Sequence, residues 1–183
     1  MNDKFIITSG KVVISDPCYE IPTWCQGVVE NVKNGVWVGE VDVVDNRVAT
    51  LFAFNEQALI SDSNLKGLVI TDAEELPFDF GVDSGQLGYF DLPHYRNDDS
   101  AKDLKKYNFE EGYDIEAEGE EWYRAICELT LSDEQYGVLP FGVVSSSGYG
   151  DGSYMSFGLQ NEQGEYIAFM TTFINTDVDF CGQ

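Results

Sequence analysis

Four aspartates beside glycine-containing turns are the side chains of this 183-residue sequence best suited to chemistry. Asp16 follows one predicted strand, Asp83 and Asp91 stand at the two ends of another, and Asp151 lies in a segment rich in serine and glycine. Carboxylate oxygens are the ligands that hard cations such as Ca²⁺, Mg²⁺ and Mn²⁺ prefer. If the four side chains converge, they predict a site for one or two such ions that activates water for hydrolysis.

Residues 145–154 contain more glycine and serine than one hairpin turn needs. Glycines permit a left-handed backbone, so consecutive amides can point into one concavity and bind an anion, whereas Asp151 and the serine oxygens would instead complete a cation shell. A tight structural turn is the third interpretation. A P-loop is excluded, because no lysine follows the last glycine. The candidate ligand- or partner-binding residues of this segment are Ser147, Gly148, Tyr149, Gly150, Asp151, Gly152, Ser153 and Tyr154.

The other candidate binding residues lie in two shorter clusters. Residues 81–91 form a glycine-punctuated strand that includes Gln86 and is bracketed by Asp83 and Asp91. A bulged strand with solvated ends is the alternative interpretation. The pair Asp16-Pro17 ends a strand and turns the chain, which a purely structural turn also does. The sequence predicts no cofactor unless a metal binds, in which case the ligands are Asp16, Asp83, Asp91 and Asp151.

Catalysis through a nucleophile or a proton shuttle has little support in the sequence. The chain contains one histidine, His94, which excludes zinc sites rich in histidine and any motif with two imidazoles. A Ser–His–Asp or Cys–His arrangement would depend on this residue alone, and its position between Pro93 and Tyr95 favours a surface or turn histidine. No Lys, Arg or His occurs in residues 125–183, so the glycine-rich segment has no cationic or imidazole side chain near it in sequence.

The composition limits the classes of partner. The 33 Asp and Glu residues against 10 Lys and Arg residues give a net charge of −23, which repels phosphate backbones and anionic membranes. We therefore expect no direct nucleic-acid or membrane binding and a preference for basic protein surfaces. Mimicry of DNA by the acidic surface is a minor variant of that hypothesis. The N-terminus lacks the pattern of a signal peptide, and we expect a cytoplasmic protein.

The hydrophobic pattern predicts a mainly β fold: one domain over residues 1–183, an antiparallel β-sandwich or bent sheet with one or two short helices. The apolar content of 43% is enough to form a core. The sequence predicts three hairpins, which join residues 5–7 to 11–15, 36–44 to 47–54, and 154–159 to 166–173, and single strands at 66–71 and 86–90. We interpret Cys18, Cys25, Cys127 and Cys181 as reduced thiols, with Cys127 in the core.

Residues 95–121 interrupt the β pattern. They carry ten acidic and four basic side chains and few aliphatic ones, which predicts an exposed, mobile excursion with one helical turn at residues 100–107. The next segment fits either a helix or an alternating strand. We favour a helix over residues 120–128, because acids lead it and its apolar residues are spaced by three or four.

Taken in order, these clusters resemble the bacterial and phage family catalogued as domain of unknown function 4241. The resemblance rests on residues 9–19, 46–49, 81–91 and 147–154, with Gly164 and Phe173. It implies a mostly β fold and brings no established activity. Members commonly close with an Asp-Phe pair, whereas this chain has Thr172-Phe173.

Two functions follow from the residues. The first is a non-enzymatic binding protein whose glycine-rich loops and acidic surface engage a basic protein surface or a small ligand; the resemblance places it in host takeover, counter-defence or immunity in a bacterial cytoplasm. The second is a metal-dependent hydrolase that uses the clustered aspartates. The two differ in whether the four aspartates share one pocket.

Overall fold

Twelve strands and three α-helices form the part of the chain that the computed structural model describes, residues 3–104 and 119–175. Strand accounts for 44% of the structure and helix for 21%, so the predicted mainly β class is confirmed. The strands are β1 (Lys4–Ile7), β2 (Lys11–Ser15), β3 (Gly27–Glu30), β4 (Gly35–Val44), β5 (Arg47–Asn55), β6 (Glu74–Glu75), β7 (Phe80–Val82), β8 (Gln86–Asp91), β9 (Tyr136–Leu139), β10 (Gly142–Ser146), β11 (Gly152–Gln160) and β12 (Tyr166–Thr172). The helices are α1 (Glu56–Ser61), α2 (Leu65–Asp72) and α3 (Glu120–Thr130), with short 3₁₀ helices at Leu92–His94 and Asp98–Leu104.

The strands form two antiparallel sheets. The larger sheet has seven strands in the order β1-β4-β5-β12-β11-β6, with β7 also paired to β11, and the smaller has five in the order β3-β2-β8-β10-β9. Apolar residues from both sheets share one core, in which the ring of Phe169 stacks on Trp37 at 5.6 Å between centroids and contacts Tyr89 at 5.7 Å. Burying these large aromatic side chains is the main force that holds the sheets face to face.

Strand β8 is covered on both faces, because α3 packs on the outer side of the smaller sheet. All six residues of β8 are buried. Leu87 and Tyr89 face the core between the sheets, whereas Phe90 faces α3 and meets the Trp122 ring at 5.0 Å. The predicted helix over residues 120–128 is therefore confirmed, and it continues to Thr130.

The first residues of the predicted excursion pack against this helix. Tyr95 and Ala101 are buried with Trp122, so the expectation of an exposed segment is wrong at this end. Asp98 accepts hydrogen bonds from the backbone N–H groups of Gly119 and Trp122 and so caps the start of α3. The rest of the excursion, residues 105–118, lies outside the described residues.

The predicted strand at residues 66–71 is wrong, because this segment belongs to helix α2. Leu65 and Val69, four residues apart, are buried against Phe52 and Phe54 on the outer face of the larger sheet. A short apolar run fits a buried strand and a buried helix equally well in sequence, and here the contact with the sheet selects the helix. The described part of the chain thus contains three α-helices where the sequence predicted one or two.

Two of the three predicted hairpins form. In the β4–β5 hairpin Asp45 and Asn46 have φ of 50° and 59°, as a two-residue type I′ turn requires, and β11 pairs with β12 as expected. The first predicted hairpin is wrong: β1 pairs with β4, whereas β2 pairs with β3 and β8. Thr8 to Gly10 is a crossover between the sheets.

Asp91 fixes this crossover. Its buried carboxylate accepts hydrogen bonds from the backbone N–H groups of Thr8 and Ser9, both at 3.1 Å, from the Ser9 hydroxyl at 2.6 Å, and from the Thr8 hydroxyl. If the carboxylate were removed, both Thr8 donors and the Ser9 N–H would lose this acceptor in the folded state, whereas the Ser9 hydroxyl would keep the Lys11 carbonyl.

We expect Asp91→Ala to lower the free energy of unfolding by about 3 kcal/mol or more, because a buried acceptor of four hydrogen bonds is lost. Urea unfolding measures the change. The control is Asp133→Ala at an exposed position, for which we expect a change within about 0.5 kcal/mol. Equal effects of the two substitutions would contradict a structural role for Asp91.

Candidate functional site

Three loops meet at one end of the fold: residues 16–19 after β2, residues 83–85 before β8, and residues 147–151 between β10 and β11. We call this region the loop end. The Ser147 N–H donates to the Gly85 carbonyl at 2.9 Å, and the Tyr19 hydroxyl donates to the Asp83 carboxylate at 2.6 Å. The three predicted clusters thus come together, apart from the far end of residues 81–91.

Asp16 is the residue that joins these loops. Its side chain is fully buried. One oxygen, Oδ2, accepts from the backbone N–H groups of Asp83 and Ser84 at 2.8 and 2.7 Å, and the other, Oδ1, accepts from the Cys18 N–H at 2.9 Å and the Ser84 hydroxyl at 2.6 Å. Both oxygens are occupied by protein donors, so the structure assigns this carboxylate a role in loop geometry.

Tyr95 and Arg96 support the same loop from the other side. The Tyr95 hydroxyl donates to the Tyr19 carbonyl at 2.6 Å, and Arg96 donates to the carbonyls of Pro17 and Cys18 at 3.0 and 3.2 Å. Sequence reasoning missed these residues, because they stand at the start of an acidic stretch. The aromatic character of Tyr95 in that stretch is the signal that could have found it.

The glycine-rich segment is held by its own polar groups. Gly148 and Gly150 have φ of 63° and 110°, which glycine adopts without strain. The carbonyl of Gly150 accepts from the hydroxyls of Ser147 at 2.9 Å and Tyr154 at 2.6 Å. These contacts fix the loop and leave Tyr149, 72% exposed, at its tip.

Two carboxylates flank that tip. Asp151 is exposed and has no hydrogen-bond or ion-pair partner within residues 3–104 and 119–175. Asp83 is exposed as well, and the Tyr19 hydroxyl holds it in place. Arg47 lies behind the tip, 5.0 Å from the centre of the Tyr149 ring, and donates to the Gly148 carbonyl at 3.3 Å. The rim of the loop end therefore combines an aromatic ring with two exposed carboxylates.

The four aspartates do not converge. Asp91 lies at the opposite end of β8 from Gln86, about 17 Å away at the rise of an extended strand. Asp16 is buried and Asp151 is exposed on another loop. Within the described residues, no group of three or more His, Cys, Asp or Glu side chains is placed to hold a metal ion.

His94 lies with Asp91, away from the loop end. Its ring stacks on Phe141 at 3.5 Å between centroids, and its Nδ1 is 2.8 Å from the Ser100 hydroxyl. The Asp91 carboxylate is 3.9 Å from Nε2, which is beyond a hydrogen bond, and is occupied by Thr8 and Ser9. The carboxylate therefore does not orient the imidazole as the third group of a catalytic triad does.

A family model described as "Protein of unknown function (DUF4241)" matches residues 5–171. The chain belongs to this family. No curated protein and no solved structure matches the chain. All three loops of the loop end lie within the part of the chain that the DUF4241 model covers.

No helix of this DUF4241 protein within residues 3–104 and 119–175 is long and apolar enough to span a bilayer.

The cysteine environments differ from one another. Cys25 is buried, while Cys18 and Cys127 are half-buried, so Cys127 is less enclosed than the sequence predicted; Cys181 lies outside the described residues. Burial, followed by the hydrogen bond and charge of Asp16, raises the pKa of Cys18 to about 12. At neutral pH this thiol stays protonated.

The difference in burial between Asp16 and Asp151 predicts that the same substitution lowers stability much more at Asp16 than at Asp151. Asp16→Asn replaces one accepting oxygen by an amide that faces N–H and O–H donors, and we expect it to lower the free energy of unfolding by about 2–4 kcal/mol. For Asp151→Asn we expect a change within about 0.5 kcal/mol. Chemical denaturation measures both values. A large loss for Asp151→Asn would show instead that its carboxylate holds the turn.

The raised pKa of Cys18 predicts slow alkylation. At pH 8 only the thiolate reacts with iodoacetamide, so we expect Cys18 to react at least about 100-fold more slowly than a free cysteine. The rate should keep rising with pH well past the range where a free thiol levels off. Mass spectrometry of the Cys18 peptide in the folded protein measures the rate, with the urea-unfolded protein as control. Equal rates in the two states would refute the proposed environment.

Proposed function

We propose that this protein is a non-enzymatic binding protein that engages a basic protein surface through its loop end. The observation that carries the proposal is the rim itself: the exposed ring of Tyr149 and the exposed carboxylates of Asp83 and Asp151 lie on adjoining loops that hydrogen bonds hold in place. Aromatic anchors with charged neighbours are a common composition of protein recognition sites.

The fixed loops support recognition because they reduce the entropy lost on binding. Asp16 holds residues 83 and 84 through three hydrogen bonds, and the Tyr154 hydroxyl closes the glycine-rich segment. A surface that is already ordered does not have to be ordered by its partner, so more of the contact energy appears as affinity.

The charge of the chain favours a cationic partner. A net charge of −23 attracts basic surfaces over distances of about one Debye length and raises the rate of encounter. A second aromatic side chain, Trp24, is 84% exposed. It lies close to the loop end, because the carbonyl of the adjacent Cys25 accepts a hydrogen bond from the Gly81 N–H at 3.0 Å. The rings of Tyr149 and Trp24 would contribute apolar contacts within an acidic surface.

The setting we propose is a bacterial cytoplasm, with a role in host takeover, counter-defence or immunity. The resemblance to a bacterial and phage family motivates this setting. The partner would then be a host or phage protein with a basic face.

An array of short synthetic peptides of net charge about +4, each with one aromatic or aliphatic residue, tests the proposal. The parent should bind a subset of them at physiological salt. We expect the double substitution Asp83→Asn, Asp151→Asn to weaken that binding at least about tenfold, because both carboxylates lie at the rim.

The matched control is Glu74→Gln, Glu75→Gln, which removes the same charge from β6. These residues pair with Phe157 and Gly158, about 20 Å along β11 from Gly152. We expect this control to weaken binding less than about twofold. Equal weakening by both pairs, or no binding of any peptide by the parent, would contradict recognition at the loop end.

A further inference from the structure

A cleft of about 260 Å³ lies beside the loop end, between residues 84–86 and helix α3. Gln86 is buried and Thr130 lies next to its amide, while Leu131 is 84% exposed. The volume suits one small molecule or one side chain, at the lower end of the range for ligand sites. The lining residues are Ser84, Gly85, Gln86, Tyr123, Cys127, Thr130, Leu131 and Ser146.

Within residues 3–104 and 119–175, the lining carries no charged side chain, although 23% of the whole chain is Asp, Glu, Lys or Arg. Its polar groups are hydroxyls, an amide and a thiol, set beside the apolar side chain of Leu131. A cationic or anionic group would therefore enter without a counter-charge from the lining, which is unfavourable in a partly enclosed site. The cleft favours an uncharged ligand.

The directions of the hydrogen bonds in the floor are fixed by Asp16. Because a carboxylate only accepts, the Ser84 hydroxyl must donate to it. The oxygen of Ser84 then accepts from the Gln86 amide nitrogen at 3.1 Å. This nitrogen is also 3.4 Å from the Tyr123 hydroxyl, and the Gln86 carbonyl accepts from the Thr130 hydroxyl at 2.7 Å.

This order leaves the Tyr123 hydroxyl as a donor. Its oxygen can accept from Gln86, whose amide nitrogen is also 3.7 Å from the thiol of Cys127, and its hydrogen is then available to a ligand oxygen in the cleft. Burial, with the nearby Cys127, raises the pKa of Tyr123 to about 12, so the hydroxyl remains protonated at neutral pH. The hydroxyl oxygens of Ser84 and Ser146 also line the cleft and can accept a hydrogen bond from a ligand.

We propose that this cleft is a binding site for a small uncharged carboxamide, whose carbonyl accepts a hydrogen bond from Tyr123 and whose N–H faces the serine hydroxyls. A primary carboxamide offers an accepting carbonyl oxygen and a donating NH₂ group, which the hydroxyl groups of the lining can both satisfy. Its apolar part would lie against Leu131. This site is separate from the charged rim and does not depend on a protein partner.

Benzamide, benzoate and benzamidine test the proposal, because they share one shape and carry charges of zero, minus one and plus one. Nuclear magnetic resonance titration of the full-length ¹⁵N-labelled chain follows binding residue by residue. We expect benzamide to shift the amide signals of residues 84–86 and 123–131, with a dissociation constant of roughly millimolar order, as is usual for a fragment of this size. Benzoate and benzamidine should bind at least about tenfold more weakly.

Two substitutions locate the interaction. Tyr123→Phe removes the donor and keeps the ring, and we expect benzamide binding to weaken about tenfold, as the loss of one well-placed hydrogen bond does. Tyr166→Phe, the same change in strand β12 of the larger sheet, should leave benzamide binding unchanged. Leu131→Ala acts at an exposed position that the fold does not need, and it should weaken binding about threefold through lost apolar contact.

Three results would overturn the proposal. The first is the absence of benzamide shifts at residues 84–86 and 123–131 in the parent. The second is benzamidine or benzoate binding as tightly as benzamide, which would refute the preference for an uncharged ligand. The third is unchanged affinity in Tyr123→Phe, once its spectrum shows an intact fold, because the hydroxyl would then make no contact with the ligand.

Discussion

The hydrogen bonds that the buried carboxylate of Asp16 accepts are the interactions on which the loop end depends. A charged group without water must find hydrogen-bond donors, and here the two loops that follow β2 and precede β8 supply them. The requirement acts in both directions, since the loops would have unpaired N–H groups without the carboxylate. The same charge also sets the direction of the Ser84 hydroxyl and, through it, the orientation of the Gln86 amide.

Strand β8 carries this arrangement because it is the most enclosed element of the smaller sheet. The larger sheet covers one face and α3 the other, so its ends are fixed by packing as well as by pairing. Gln86 at one end organises the cleft, and Asp91 at the other end holds the crossover from β1 to β2. A rigid strand with a polar side chain at each end thus links the loop end to the opposite side of the fold.

The local sequence pattern was sufficient to predict some helices and strands and not others. The Asp45-Asn46 turn fixes the β4–β5 hairpin by itself, and the apolar spacing of α3 identifies a helix, so both were predictable from the sequence. The segment Leu65–Asp72 and the separation of β1 from β2 depend on contacts with distant strands, which local pattern does not report. The same limit applies to the site.

Asp16 and Asp151 illustrate that limit, because each stands in a turn beside a strand. Their sequence contexts do not say which carboxylate will meet N–H groups brought from elsewhere by the fold and which will face water. Sequence identified the three loops, and their convergence is a property of the topology. The final strand, β12, shows that folding also depends on such distant contacts, since it lies between β5 and β11 in the larger sheet. During synthesis β5, which contains Phe52 and Phe54, keeps an open edge until residues 166–172 have left the ribosome. Completion of the larger sheet therefore waits for β12, and the nascent chain exposes an aggregation-prone strand until then.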